Sequence, residues 1–182
     1  MTSGSQPSQS ANSAATAARR PAPLYTPEQR RRRDATPWTL VQGLLAPAQF
    51  LAFLISLVLV LRTLMTGEGA SAAAVSVVIK TLFLYAIMVT GAIWEKRVFG
   101  RYLFAPAFFW EDVFSMLVIA LHTAYLGALL TGWLEVRGQL LLALAAFATY
   151  LVNATQFILK LRAARLGEQR NTGPALLGGA VQ

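Results

Sequence analysis

The segment WEDVFSMLVIALHTAYLGALLTGW, residues 110–133, opens on two adjacent carboxylates, Glu111 and Asp112, and carries the chain's single histidine, His122. Apart from these, it is apolar or small, and from Val113 to Leu134 it has no Asp, Glu, Lys or Arg. A helix needs roughly 20 such residues to cross the hydrocarbon core of a bilayer. Three further runs have the same character. Trp38 to Leu61 has no ionisable side chain, Ala70 to Trp94 is interrupted only by Lys80, and Gly138 to Leu159 is free of charge. The runs are rich in Leu, Ala, Val and Phe without alternating polarity, which argues for helices rather than barrel strands. Only a helix satisfies every backbone amide within its own segment. The sequence therefore predicts an all-α, integral membrane four-helix bundle with short loops.

Composition agrees. The chain of 182 residues is 55% hydrophobic and 13% charged, whereas a soluble domain averages about a quarter charged. It has no cysteine, which excludes disulfides, cysteine-bound clusters and thiol catalysis. One histidine excludes a multi-histidine metal site. A net charge of +8 would suit nucleic acid, but the basic residues flank the apolar runs, and no nucleic-acid partner is expected. Arg19, Arg20 and Arg30 to Arg33 precede the first run; Lys96, Arg97 and Arg101 join the second to the third; Lys160, Arg162, Arg165 and Arg170 follow the fourth. Only Arg62 and Arg137 flank the opposite side. Basic residues stay cytoplasmic, so both termini are expected there.

The predicted organisation has four parts. Residues 1–23 form a disordered tail, poor in anything to bury and lacking the apolar core of a signal peptide. Residues 24–36 form a basic juxtamembrane helix: Thr26 and Gln29 have capping-box spacing, Pro27 suits the first helical position, and Pro37 ends it. Residues 37–166 form the four-helix domain, and 167–182 a loose C-terminal tail.

Polar residues converge on one level. Gln42 and Gln49, Glu95, Glu111 and Asp112, and Asn153 and Gln156 all fall in the cytoplasmic halves of their helices. Ionisable groups at membrane depth are costly and mark function or a buried pair. Glu111, Ser115, Val118 and His122 share one helix face, while Asp112 points about 100° away. Glu111 and His122 are too far apart to touch, at roughly 16 Å along the axis. Each group also has a structural reading. Glu111 and Asp112 can pair with Lys96, Arg97 or Arg101. His122 can bond a neighbouring helix, Asn153 and Gln156 can act as interhelical glue, and Lys80 needs a polar partner. Trp94, Phe99, Tyr102, Phe104, Phe108, Phe109 and Trp110 form either an interfacial belt or an apolar wall for a flat ligand.

Three stretches carry a resemblance. LYTPEQRRRRDATPWTLVQGLLAPAQF, YAIMVTGAIWEKRVFGRYLFAPAFFWEDVFSMLVIALHTAYL and TYLVNATQFILKLRAARL closely resemble the 3-vinyl bacteriochlorophyllide hydratase family of photosynthetic bacteria, over about Leu24 to Leu166. The resemblance implies a hydro-lyase of bacteriochlorophyll a biosynthesis in the bacterial inner (photosynthetic intracytoplasmic) membrane, neighbouring other enzymes of that synthesis. Such an enzyme adds water to the ring-A vinyl group of a (bacterio)chlorophyllide, giving 3-(1-hydroxyethyl). The family brings no established catalytic residues, so roles follow from the chemistry. A carboxyl group in an apolar site can donate the proton. Glu111 is the first choice, with Asp112 or Glu95 orienting water or stabilising the cation. No cofactor is expected, since the substrate carries its own magnesium; His122 is a candidate axial ligand to it. Arg97, Arg101 or Lys80 can hold the substrate propionate, and Asn153, Gln156 and Trp110 can line its cavity. A non-catalytic pigment-binding or assembly protein is the alternative, and a small transporter ranks last.

Overall fold

The computed structural model describes residues 24–172, and the expectations for residues 1–23 and 173–182 lie outside that range. Five helices make up the described chain: α1 (Pro27–Ala35), α2 (Pro37–Thr66), α3 (Ala70–Phe99), α4 (Phe109–Thr131) and α5 (Val136–Thr172). Helices α2 to α5 are long and apolar enough to cross a membrane, so the protein is an all-helical, multi-pass membrane protein. Each begins or ends beyond the apolar run that predicts it. α5 stays helical through Thr172, past the expected end at Leu166.

Local chemistry sets the boundaries. Thr26 and Gln29 form the expected capping box on α1, with side chain and backbone bonded reciprocally. Pro37 cannot donate a backbone hydrogen bond, and it restarts the chain as α2. α2 and α3 end on Gly67 and Gly100, both left-handed at φ 75° and 81°, a conformation that costs other residues more.

The helices pair as hairpins. α2 runs along α3 and α4 along α5, and the hairpins join through α3 against α4 and α2 against α5. We call the end where α2 begins and α5 finishes the near end. At the centre, Phe53 packs on Phe147 and Tyr150, with ring centroids 5.5 and 5.0 Å apart. Val60, Ala73, Val77, Leu84, Val118 and Tyr125 complete this core. Large apolar side chains such as Leu40, Leu51, Val58 and Leu82 point outward and are exposed. Helices apolar on all sides belong in lipid, where such faces cost nothing.

At the near end α1 is tied down. Trp94 donates its indole N–H to Thr39 Oγ1 at 2.9 Å, and Thr39 donates to the Arg33 carbonyl at 2.6 Å. Tyr25 stacks on Phe99. Gln42 reaches across from α2 to α3 and donates to Thr90 Oγ1 at 2.7 Å.

Candidate active site

The near end gathers three carboxyl groups from α3 and α4. Glu95, Glu111 and Asp112 are all buried, between 4% and 7% exposed, although each lies within about a turn of a helix end. Helix α4 turns Glu111 and Asp112 in different directions, as the 100° step requires, and the two have separate partners.

Glu111 meets Lys160 of α5, Nζ to Oε2 at 2.6 Å. The expected partners Lys96, Arg97 and Arg101 are not used. Lys96 instead donates to the Gly100 carbonyl at 3.0 Å and lies over the Tyr102 ring. Lys160 is two helical turns beyond Asn153, so it returns to the near end along α5. No local spacing rule links residues 111 and 160, and only the antiparallel packing of α4 on α5 brings them together.

Asp112 faces α3. Its carboxyl group is a near neighbour of the Glu95 carboxyl. Carboxylates accept but do not donate, so two buried carboxyl groups this close are held most readily with one proton between them. Both groups also hold the α3–α4 connection. Asp112 Oδ2 accepts the Phe104 N–H at 2.7 Å, and Glu95 Oε2 accepts the Ala105 N–H at 3.3 Å. Phe104 has φ 57°, a left-handed conformation uncommon for a bulky side chain. The carboxyl pair thus lies beneath a pinned, strained loop.

The aromatic run divides into two functions. Trp94, Phe99 and Phe108 turn inward and pack with Tyr25 and Phe157. Tyr102, Phe104, Phe109 and Trp110 stay exposed, Trp110 at 66%. The inward set braces the loop, and the outward set gives an apolar rim beside the carboxyl pair.

Arg97 lies elsewhere. With Arg32, Thr36 and Trp38 it lines an open groove of about 370 Å³ between α1 and the start of α2. It is two residues from Glu95, so the two side chains leave α3 about 200° apart. Arg101 is exposed in the loop.

Deeper in the bundle, Lys80 and His122 are fully buried and paired, Nζ to Nε2 at 2.6 Å. The Val118 carbonyl lies 2.8 Å from His122 Nδ1. A carbonyl only accepts, so Nδ1–H donates to Val118 and the neutral ring's Nε2 accepts from Lys80. Lys80 Nζ also lies over the Tyr150 ring, 4.1 Å from its centroid. Lys80 therefore finds its polar partner on another helix. Both nitrogens of His122 are engaged, so a lone pair reaches a magnesium ion only if Lys80 withdraws. Between the two levels, Asn153 donates to Ser115 Oγ at 2.8 Å.

The chain is a helical membrane protein with an acid pair under an aromatic loop and an ion pair beside it. The chain belongs to the 2-vinyl bacteriochlorophyllide hydratase family, whose model matches residues 25–163. It is 71% identical to the 2-vinyl bacteriochlorophyllide hydratase of Rhodobacter capsulatus over 79% of this chain and 83% of the relative. Identity is also 71% to the protein of that name from Cereibacter sphaeroides, over 79% of this chain and 89% of the relative. The older and newer ring numberings give the same ring-A vinyl group the numbers 2 and 3. No solved structure matches the chain.

Proposed function

We propose that this protein hydrates the ring-A vinyl group of a magnesium (bacterio)chlorophyllide to 1-hydroxyethyl, as a hydro-lyase of bacteriochlorophyll synthesis. The observation that carries the reading is the 71% identity to proteins of that name across 79% of the chain. The site chemistry supports it.

The reaction adds a proton to the terminal vinyl carbon, and the adjacent carbon becomes cationic, with its charge spread into the macrocycle. Water attacks that carbon and loses a proton, so the product gains one H₂O and no electrons move. An acid, a base and a water suffice, and no resident cofactor is needed; the magnesium arrives with the substrate. We assign the proton donation to the Glu95–Asp112 pair rather than to Glu111. Two neighbouring buried carboxyl groups resist double ionisation, which leaves one of them a proton to give. Glu111, held by the Lys160 ammonium, is suited as a carboxylate to stabilise the cation and take the proton from water. The apolar rim of Phe104, Phe109 and Trp110 offers the macrocycle a flat contact. We assign the propionate to Arg101, an exposed cation on the same loop.

The experiment uses the protein in membranes, a vinyl chlorophyllide and ¹⁸O-labelled water. The expected product is heavier than the substrate by one labelled water. Folded protein that binds pigment and gives no such product would leave it a pigment carrier.

A further inference from the structure

Several side-chain oxygens inside the bundle have no hydrogen-bond partner among the described residues: Gln49 Oε1, Ser56 Oγ, Asn153 Oδ1 and Gln156 Oε1. Gln49, Ser56 and Asn153 are 3%, 0% and 8% exposed. Unpaired polar atoms are costly to bury and more so in lipid, where no solvent can reach them through the hydrocarbon. Native interiors leave few.

Their positions are related. Gln49 and Ser56 lie one turn to either side of Phe53 on the same face of α2. Phe53 packs on Tyr150 and Phe147 of α5. α2 and α5 run in opposite directions, so Gln49 is level with Asn153, and Ser56 is level with Phe147. Lys80 Nζ lies 5.8 Å from the Phe147 ring centroid and 4.1 Å from that of Tyr150, which brings Ser56 to the level of the Lys80–His122 pair. Gln156 continues the line one turn nearer Lys160 and Glu111.

Ser56 differs from several threonines of the membrane helices. Thr63, Thr81, Thr90 and Thr123 each donate to the carbonyl one turn earlier in their own helix. That is the usual solution for a hydroxyl in lipid. Ser56 does not use it, so its hydroxyl remains available to something in the interior.

We infer that these groups line a buried water file, which runs from Lys80–His122 at mid-bundle past Ser56, Gln49, Asn153 and Gln156 to the Glu111–Lys160 pair. Acceptors need a donor, which excludes the substrate's carboxylate as occupant. Water donates twice and accepts twice, and buried waters typically make about three bonds to otherwise unsatisfied polar groups. The file's purpose rests on the hydration reading: it supplies the co-substrate to a site that lipid would otherwise keep dry. Its occupancy does not depend on that reading.

The test is radiolytic hydroxyl-radical labelling of the full chain in lipid nanodiscs, read by mass spectrometry. Radicals formed from bound water modify the side chains beside it. Phe53 and Tyr150 are expected to label well above the lipid-facing Phe50, and several-fold less in Gln49→Met and Ser56→Ala. Labelling of Phe53 and Tyr150 no faster than Phe50 in the unaltered protein overturns the proposal, whether or not the variants fold. Thermal midpoints give an independent sign. If the column is dry, replacing an unpaired oxygen by an apolar group raises the midpoint; if it holds water, the change lowers it. A fall of several degrees in both variants is expected, and a rise in either counts against the file. Labelling at Tyr150 without ¹⁸O in the product would preserve the file and remove the hydratase reading. Product formation without labelling would do the reverse.

Discussion

At the scale of single residues, the proposed mechanism turns on which carboxyl group carries a proton. Glu95→Gln keeps the acceptor that holds the Ala105 N–H and can still donate to Asp112, but it removes the transferable proton. We expect kcat to fall about 100-fold or more with KM little changed, and Asp112→Asn to behave alike. Steady-state rates on a vinyl chlorophyllide check this; near-normal kcat in both variants would remove the pair from the mechanism. Glu111 needs a different test, because its carboxylate is tied to Lys160. Lys160→Leu strands a buried charge. The cost is expected at about 2 kcal/mol, below the fully buried case because Lys160 is 27% exposed. Adding Glu111→Gln should restore most of that stability but not activity. Recovery of both would show the ion pair to be structural. Periodicity alone indicated that Glu111 and Asp112 would part, and that Glu111 and His122 would not meet. It gave no means of choosing Lys160, because a contact between residues 111 and 160 depends on tertiary register. Nor did it pair Glu95 with Asp112, since a carboxyl–carboxyl contact breaks the charge logic by which partners are guessed.

At the scale of elements, two connections between helices carry the polar chemistry. One is the α3–α4 loop, in which the backbone of Phe104 and Ala105 is held by the carboxyl pair itself. Sequence marked this stretch as aromatic, but not which rings turn inward. That choice follows from Tyr25 and Phe157, distant in sequence, supplying the faces on which Trp94, Phe99 and Phe108 pack. The other connection is Lys80 to His122 between α3 and α4. Removing either partner leaves a buried polar group alone, so Lys80→Met and His122→Phe should each destabilise. The double variant should cost less than their sum by about 1–3 kcal/mol. Unfolding midpoints of the four proteins in one detergent measure the coupling, and strict additivity would mean that the pair contributes nothing jointly. His122→Phe also tests magnesium ligation. With both ring nitrogens engaged, the absorption of bound pigment is expected to stay unchanged, and a shift would show that Lys80 gives way.

At the scale of the whole molecule, the spans were legible because each is a long run without charge, and lipid permits little but a helix there. Helix ends were less so, since α2, α3 and α5 continue past their apolar runs. Orientation is a separate question, which the basic residues address. Arg30 to Arg33 precede α2, Lys96, Arg97 and Arg101 cluster at the α3–α4 connection, and Lys160, Arg162 and Arg165 lie at the near end of α5. The fold brings all three groups to the near end, and among the described residues only Arg62 and Arg137 mark the far one. Lys80 does not enter the comparison, because it is buried against His122. Asymmetry of this kind sets topology through the cost of moving cations across the bilayer. Both termini are therefore expected on the cytoplasmic side, and with them the carboxyl pair and the mouth of the site. There a free-acid pigment can arrive from the membrane surface, its propionate never crossing the hydrocarbon. A reporter active only in the cytoplasm, fused after Leu166, should be active. A second reporter, active only outside, should work when inserted at Gly132 in the α4–α5 turn and be silent after Leu166. The opposite pattern would invert the protein and place its acid pair on the wrong side for such a substrate.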